Sequence, residues 1–284
     1  MADLLKGKPV VDAMAESLSA RVVSLKEQGV VPTLAIVRVG ARPDDLSYER
    51  TALKRADSLG IATRVFELPD TASQSDLEAT IDQINADDTI HGCLMFRPLP
   101  NTLDEDALCQ RLDSRKDIDG ISTASLGAVF VDAEEGFAPC TAKACITMLE
   151  HYGIELEGKS VVVVGRSLVI GKPVALLALR KNATVTICHS RTKNLPEVMS
   201  AADIVICATG RARFYGKECF KPGQIVLDVG INFDEEGMCG DVNFAEVEPV
   251  VAAITPVPGG IGSVTTSTTM AHVVEAAERF AAKK

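Results

Sequence analysis

The chain has 284 residues, of which 46% are hydrophobic and 24% charged, and its 29 basic and 39 acidic side chains give a net charge of −10. This composition is typical of globular proteins and excludes collagen-like, coiled-coil and disordered chains, while the length predicts two domains. The acidic balance argues against nucleic acid as a partner, and no apolar run approaches the roughly 18 residues of a membrane span.

The predicted elements of the first half alternate between strand and helix. Short apolar and β-branched runs predict the strands, and stretches with helical periodicity predict the helices. In chain order these are a strand at 34–39, a helix that ends at 59 before Gly60, a strand at 63–68, a helix near 75–85 and a strand at 92–95. This alternation is typical of a parallel sheet built from βαβ units.

A second alternating series begins after residue 158. It predicts strands at 160–164, 184–187, 204–208 and 225–229, a helix at 173–179 and a last helix at 268–280. Two such series predict an α/β protein of two domains with a boundary near residues 139–143. We therefore expect a first domain at 1–142 and a second, Rossmann-type domain at 143–265.

The eight cysteines are scattered along the chain without any Cys-x-x-Cys pair. The amino terminus has no signal-peptide core, so we expect a cytoplasmic protein with reduced thiols and no membrane partner. No histidine or cysteine pair has the spacing of a zinc site, and we expect no metal.

A glycine-bearing turn follows the strand at 160–164. It contains Gly165, Arg166, Ser167 and Gly171, at a strand-to-helix junction where backbone N–H groups favour phosphate. The spacing differs from the G-x-G-x-x-G pattern, so a tight structural turn is an equally simple interpretation.

The end of the next strand indicates which dinucleotide would bind. An acid at this position would accept the ribose 2′-hydroxyl of NAD, but the chain has Ser190 and Arg191, which favour the 2′-phosphate of NADP. Thr209, Gly210 and Ile231 follow later strands and are expected at the same sheet edge. A polar surface loop and ordinary turns remain the alternatives for these segments.

Several separated motifs together resemble the FolD family of bifunctional methylenetetrahydrofolate dehydrogenases and methenyltetrahydrofolate cyclohydrolases. They are Pro139-Cys140-Thr141 and residues 165–173, 188–192 and 255–262, with Pro98-Leu99-Pro100 and residues 116–120 in the first half. The resemblance implies a homodimer that works in one-carbon metabolism. It also implies a folate domain completed by the last helix, 266–284, an NADP-binding Rossmann domain and an active site in the cleft between them.

The resemblance also implies which residues bind the folate substrate. Tyr48 is similar to the tyrosine that lines the folate ring, and Asp119 to the aspartate that hydrogen-bonds the pterin; both would count as catalytic-site residues. A carboxylate can accept paired N–H donors, and an aromatic face can stack on a flat ring. Pro258, Gly259 and Gly260 resemble the loop near the reacting carbon. Without the resemblance, Asp119 would be interpreted as a turn residue.

Two positions depart from the family pattern. The family has a lysine four residues after the tyrosine, where this chain has Ala52, and Phe96-Arg97 stand where the family motif QLPLP begins. Phe96 therefore replaces the glutamine. Lys54 is the nearest lysine, but its spacing from Tyr48 places it on another face of the helix.

These departures separate the two activities of the family. Hydride transfer depends on orientation and is expected to survive, whereas hydrolysis needs proton transfers that alanine cannot provide. We therefore expect NADP-dependent dehydrogenase activity with weak or absent cyclohydrolase activity. Two alternatives stay open: a fully bifunctional enzyme in which Lys54, Arg50 or Arg97 replaces the lysine, and a non-catalytic protein that binds folate or NADP.

Overall fold

The computed structural model describes residues 1–282, which form two compact units. One unit contains Met1–Asp12 and Thr141–Thr265, and the other contains Ala13–Cys140 and the chain from Thr266 onward. We call them the six-stranded unit and the three-stranded unit after their main sheets. No helix within residues 1–282 has both the length and the hydropathy needed to cross a membrane.

Helices and strands run through both units. In chain order they are β1 (Asp3–Leu4), α1 (Gly7–Glu27), β2 (Thr33–Val39), α2 (Pro43–Leu59), β3 (Ala62–Leu68), α3 (Gln74–Ala86), β4 (Gly92–Met95), α4 (Glu105–Arg111), α5 (Thr123–Val131), α6 (Cys140–His151), β5 (Ser160–Val164), α7 (Gly171–Arg180), β6 (Thr184–Cys188), α8 (Leu195–Ala201), β7 (Ile204–Cys207), a 3₁₀ turn (Lys217–Cys219), β8 (Ile225–Asp228), β9 (Asn232–Asp234), β10 (Gly237–Cys239), α9 (Phe244–Val247), β11 (Ala253–Ile254) and α10 (Ile261–Ala281).

The three-stranded unit is built around β2, which lies between β3 and β4 with all strands parallel. All seven residues of β2 are buried, and alternate side chains point to opposite faces of the sheet. Leu34 and Ile36 pack with residues of α1, α2 and α10, whereas Ala35 and Val37 pack with residues of α3 and α4. Burial on both faces explains the continuous apolar run of this strand.

The six-stranded unit contains a parallel sheet in the order β1-β11-β8-β7-β5-β6. Asp3 and Leu4 pair in parallel with Ala253 and Ile254, which extends the sheet beyond β8. This pairing explains why Met1–Asp12 belong to the six-stranded unit. The sequence analysis placed these residues in the first domain, and this difference is a correction: a two-residue strand has no periodicity from which its distant partner could be read.

The predicted strands and helices are all present, with small shifts at their ends. The predicted last helix is part of α10, which begins at Ile261. From Thr266 onward this helix belongs to the three-stranded unit. Residues 283–284 of the predicted segment lie outside the described residues. All eight cysteines are buried and carry free thiols.

Two buried charges hold the turn of residues 116–120, between α4 and α5. The Lys116 ammonium donates to the carbonyl oxygens of Ile84, Asn85 and Asp87 at 2.7, 3.0 and 2.7 Å, at the carboxyl end of α3. Lys116 is 7% exposed, and its burial lowers the pKa of its ammonium group. These bonds satisfy carbonyls that the end of a helix leaves without partners, so Lys116 acts as a cap.

The neighbouring Asp117 is fully buried and fixes the other side of the turn. Its carboxylate accepts the backbone N–H groups of Ile121 and Ser122 at 3.0 and 2.8 Å. Gly120 has a φ of +67°, and a Cβ there would lie 2.5 Å from the carbonyl oxygen of Phe137. The turn therefore requires glycine at position 120, both for its left-handed backbone and for this close approach.

Replacing Lys116 with methionine tests this account of the turn. Lys116→Met keeps most of the apolar stem but removes three charge-assisted hydrogen bonds to carbonyls at the end of α3, so we expect the free energy of unfolding to fall by about 3 kcal/mol. Urea unfolding followed by circular dichroism measures the change. The matched variant Lys26→Met, at an exposed lysine of α1, should change stability little. Equal effects of the two substitutions would show that the cap contributes nothing specific.

Candidate functional site

Tyr48 on α2 is one wall of a polar site in the three-stranded unit. Its ring lies 5.4 Å from the ring of Phe96, measured between centroids, with the planes inclined by 50°. The hydroxyl groups of Thr266 and Thr269 on α10 hydrogen-bond with the phenol. Burial raises the pKa of Tyr48 well above its ordinary value, and the nearby Asp119 carboxylate adds to the rise. The phenol therefore stays protonated at neutral pH and cannot serve as a general base there.

Asp119 lies opposite, in the turn held by Lys116 and Asp117. Its side chain is 28% exposed, and one carboxylate oxygen lies 3.7 Å from Nη2 of Arg97. Burial raises the pKa of Asp119 to about 6, the positive charge of Arg97 opposes this rise, and the charge of Asp117 adds to it. Asp119 is therefore a partly exposed carboxylate that can accept hydrogen bonds from a ligand.

A second layer of polar groups lies against this turn. The Cys140 thiol donates to the carbonyl oxygen of Ile118 at 3.1 Å, and Nδ1 of His272 lies 2.8 Å from the same oxygen. The thiol is also 3.5 Å from the hydroxyl of Thr269 and hydrogen-bonds with Asp119. Burial raises the pKa of Cys140 well above its ordinary value, so this thiol is a poor nucleophile and has a structural role.

Ala52 is one helical turn beyond Tyr48 and is fully buried in an apolar cluster. Phe96 belongs to the same cluster. Further members from the neighbouring elements are Ile36, Leu94, Ile118, Met270 and Val273. The position at which the resemblance places a lysine is therefore occupied by a methyl group within packed apolar side chains.

Of the three candidate substitutes for the missing lysine, the structure brings Arg97 to the site. Lys54 and Arg50 are exposed on α2, whereas Arg97 contacts the carboxylate of Asp119. Lys54 is therefore separate from Tyr48 and Asp119. Its helical spacing from Tyr48 predicted this separation. The structure gives no support to the assignment of Lys54 as a catalytic residue.

In the six-stranded unit, the predicted glycine turn lies between β5 and α7. Gly165 ends β5 with a φ of +133°, and a Cβ there would lie 2.3 Å from the carbonyl oxygen of Ala208. A Cβ at Gly171 would lie 2.3 Å from the carbonyl oxygen of Gly165. The two glycines thus allow the turn, the end of β7 and the start of α7 to approach closely. Arg166 and Ser167 are exposed beside the start of α7.

The end of β6 is adjacent, because β5 and β6 pair in parallel. Nδ1 of His189 accepts the N–H of Arg191 at 3.1 Å, and the Thr192 hydroxyl accepts the N–H of His189 at 2.9 Å. Ser190 and Arg191 are exposed on this turn. His189 and Thr192 therefore fix the backbone, while Ser190 and Arg191 can meet an anion.

A buried carboxylate that the sequence analysis missed holds the turn after β7. Asp241 accepts the backbone N–H groups of Thr209, Gly210 and Arg211 at 2.5, 3.2 and 2.8 Å. It also accepts the side-chain amide of Asn232 at 3.0 Å. Asp241 lies 30 to 32 residues after the three positions that it holds and belongs to no local motif, so no sequence signal indicated this role.

Asp228, at the end of β8, holds Asp241 in turn. Its carboxylate accepts the N–H groups of Asp241 and Val242 at 2.8 and 3.0 Å, and burial raises its pKa to about 7. A Cβ on Gly240 would lie 1.8 Å from this carboxylate, so glycine is required there. Ile231, which follows Asp228 closely, is 57% exposed at the same end of the strand.

The loop of Pro258, Gly259 and Gly260 also belongs to the six-stranded unit. The peptide bond before Pro258 is cis, and Gly259 has a φ of +99°. The carbonyl oxygen of Gly259 accepts the N–H of Gly7 at 2.7 Å, and the carbonyl oxygen of Gly260 accepts the hydroxyl of Ser263 at 2.8 Å. Pro258 and Gly259 are exposed, which leaves this backbone open to a ligand.

Replacing Asp241 with asparagine tests the role of this buried carboxylate. The amide keeps the shape but has one acceptor oxygen and adds an N–H₂ group that faces donors, so Asp241→Asn should destabilise the protein by about 2 kcal/mol. Hydrogen exchange should become faster at the amides of Thr209, Gly210 and Arg211. Glu235→Gln, at an exposed carboxylate of the same unit, is the matched control. Unchanged exchange at residues 209–211 would contradict the assignment.

Comparison with known proteins also divides the chain into two domains, with boundaries that differ from the two units at residues 5–12 and 266–281. Residues 5–119 match the family described as the catalytic domain of tetrahydrofolate dehydrogenase/cyclohydrolase, and residues 139–281 match its NAD(P)-binding domain. The bifunctional protein FolD of Carboxydothermus hydrogenoformans is 53% identical over 281 residues, which cover 98% of each chain.

Solved structures give the same result. The bifunctional enzyme FolD of Campylobacter jejuni superposes with a TM-score of 0.95 at 36% identity, covering 98% of this chain and 99% of the other. The FolD of Trypanosoma brucei, solved with NADP cofactor and an inhibitor, gives 0.91 at 32% identity and covers 98% of each chain. The predicted family and the two-domain α/β fold are confirmed: the chain belongs to the tetrahydrofolate dehydrogenase/cyclohydrolase family, the FolD family.

Proposed function

We propose that the protein oxidises 5,10-methylenetetrahydrofolate to 5,10-methenyltetrahydrofolate with NADP, and that its hydrolysis of the methenyl product is weak or absent. The first part follows from membership of the family and from the site residues that this chain retains. The second part depends on one observation: Ala52, fully buried beside Tyr48 and Phe96, stands where the family has its lysine.

The oxidation requires orientation more than a protein base. A hydride leaves the methylene carbon, and the adjacent folate nitrogens N5 and N10 stabilise the cation that forms. NADP, when bound, accepts the hydride. Tyr48 would line the flat ring system, and Asp119 would accept N–H groups of the pterin edge, so both would fix the substrate without exchanging a proton.

Hydrolysis of the methenyl group has different requirements. Water must add to the methenyl carbon and the ring must then open, and both steps move protons. Ala52 and Phe96 have no exchangeable side-chain proton, and the phenol of Tyr48 stays protonated at neutral pH because burial raises its pKa. Arg97 is a poor base, because a guanidinium keeps its proton at neutral pH. None of these four side chains is a suitable base for the fully bifunctional alternative. Asp119, with a pKa of about 6, could accept a proton, but in this proposal its carboxylate is engaged by the N–H groups of the pterin.

The cofactor proposal depends on the turns at the ends of β5, β6 and β7. Gly165, Ser167 and Gly171 would lie against the diphosphate at the start of α7, where the positive end of the helix dipole favours an anion. In this structure the Ser167 hydroxyl accepts the N–H groups of Ile170 and Gly171 at 3.1 and 3.4 Å. Ser190 and Arg191 would meet the 2′-phosphate, with Arg166 exposed on the neighbouring turn. The NADP complex of the Trypanosoma brucei relative supports NADP for this chain.

NADP would also contact Thr209 and Gly210, which follow β7, and Ile231, which follows β8. Pro258, Gly259 and Gly260 would approach the reacting carbon, where the absence of glycine side chains permits close contact. Assembly as a homodimer and location in the cytoplasm stay predictions for this chain.

Paired assays on the purified protein test the separation of activities. With NADP and 5,10-methylenetetrahydrofolate, we expect NADPH to form and 5,10-methenyltetrahydrofolate to accumulate. Its disappearance should not exceed the rate in buffer alone. If hydrolysis keeps pace with oxidation, the proposal is wrong; loss of that hydrolysis in Lys54→Met would then identify Lys54 as the substitute.

Restoring the two family residues together gives the complementary test. We expect the double variant Ala52→Lys, Phe96→Gln to hydrolyse the methenyl substrate about 100-fold faster or more, the usual contribution of a general acid–base group. Removing the phenyl ring makes space for the longer side chain. The matched control is Ala52→Met, Phe96→Gln, which has similar bulk but no amine. An equal gain in this control would assign the effect to packing.

The preference for NADP has its own test in Arg191. Arg191→Ala removes the charge that would meet the 2′-phosphate, so the KM for NADP should rise about tenfold or more while the KM for NAD changes little. The exposed Lys193, two residues further along, supplies the matched control Lys193→Ala. Equal changes for both cofactors would remove Arg191 from phosphate recognition.

A further inference from the structure

Arg97 lies between two carboxylates on the loop that follows β4. Its Nη1 is 3.8 Å from Oε1 of Glu105, and its Nη2 is 3.7 Å from Oδ2 of Asp119. The other oxygen of Glu105 accepts the N–H of Leu99 at 2.7 Å, which ties this loop to the first turn of α4. The guanidinium is 25% exposed, so it is partly desolvated and held in place.

Arg97 supplies a positive charge near the position where Ala52 replaces the lysine of the family. The family pattern has a lysine four residues after the tyrosine and a leucine at the position of Arg97. This chain has Ala52 and Arg97 instead. One cation is absent from α2 and another is present on the neighbouring loop, beside the carboxylate that would bind the pterin.

The other titratable groups around Asp119 come from its own turn and from the elements packed against it. Lys116 directs its ammonium to the carbonyls at the end of α3, and His272 of α10 contacts the carbonyl oxygen of Ile118. Asp117, in the same turn, is a buried acid, and Tyr48 from α2 and Cys140 from α6 are uncharged at neutral pH. Among the groups that act on Asp119, Arg97 is therefore the one that favours its ionised form through positive charge.

We infer that Arg97 is a positioning residue that keeps Asp119 ionised at neutral pH and thereby sets the lower pH limit of folate binding. This inference rests on the proposed function for the identity of the ligand. The separation of 3.7 Å from Arg97 is longer than an ordinary hydrogen bond, so the guanidinium acts on the Asp119 carboxylate mainly through its charge. The Cys140 thiol hydrogen-bonds with this carboxylate, and its remaining acceptor positions can receive N–H groups of a ligand.

The direction of the effect follows from the opposing influences on Asp119. Burial raises the pKa of Asp119 to about 6 even though Arg97 opposes the rise. Removing Arg97 leaves burial and the charge of Asp117 opposed by the Cys140 hydrogen bond but by no positive charge of Arg97, so the pKa of Asp119 should rise further, towards or above neutrality. An opposite charge at this distance typically shifts the pKa of a carboxyl group by about one to three units.

The experiment measures binding of tetrahydrofolate by calorimetry, without oxygen, from pH 5 to pH 8.5. For the unsubstituted protein we expect affinity to fall below about pH 6, because Asp119 becomes protonated. In Arg97→Leu the same fall should begin at least about one pH unit higher. Arg97→Lys should restore the original profile, and Asp119→Asn should bind weakly with this pH dependence removed.

A matched control separates the local effect from a general change in charge. Arg111→Leu removes an equal charge from α4, where Arg111 pairs with Asp82 on the exposed surface, and should leave the profile unchanged. An Arg97→Leu profile identical to that of the unsubstituted protein would overturn the inference. Tighter binding by Arg97→Leu at pH 7 would also overturn it, since Arg97 would then mask Asp119.

A second readout does not depend on the ligand. In protein labelled with ¹³C at aspartate carboxyl carbons, the Asp119 signal is the one lost in Asp119→Asn, and its titration can be followed directly. A higher midpoint in Arg97→Leu supports the inference, and an unchanged midpoint overturns it. If the unsubstituted protein binds no tetrahydrofolate at any pH, the proposed function fails, while this titration still decides the effect of Arg97.

Discussion

The folate side of this protein depends on a turn held by two buried charges. Lys116 donates to three carbonyls at the end of α3, and Asp117 accepts two backbone N–H groups that follow the turn. Buried charges are tolerated because each one is hydrogen-bonded in this way. The result is that Asp119, between these residues and Gly120, reaches the surface in a fixed place.

The six-stranded unit uses the same principle at its sheet edge. Asp228 accepts the N–H groups of Asp241 and Val242, and Asp241 accepts those of residues 209–211. Neither carboxylate has to contact a cofactor itself, because each one fixes the backbone of a turn at which a cofactor is expected to bind. In both units, buried acids organise turns, while the exposed residues on those turns are free to bind a ligand.

The chemistry at the folate side is limited by the apolar core. Ala52 and Phe96 extend this core up to the ring of Tyr48, in the place of two polar side chains of the family. Compared with the lysine and glutamine of the family, these two residues add apolar contacts but cannot exchange protons with water. In the proposed function, substrate orientation would depend on Tyr48 and Asp119 and proton transfer on the two replaced positions, so two substitutions would separate the two processes.

The sequence by itself determined the strands, the helices, the family and the turns at which ligands are expected, because apolar periodicity, glycine positions and short motifs are local properties of the chain. It also showed that the side chain of Ala52 has no exchangeable proton and that Lys54 lies on a different face of the helix from Tyr48. Only the tertiary structure decided that β1 joins the six-stranded sheet, that Asp241 holds residues 209–211 and that Arg97 lies beside Asp119. Each of these contacts joins residues that are distant in sequence or lie on separate loops, and their approach depends on how whole elements pack, which no local pattern records.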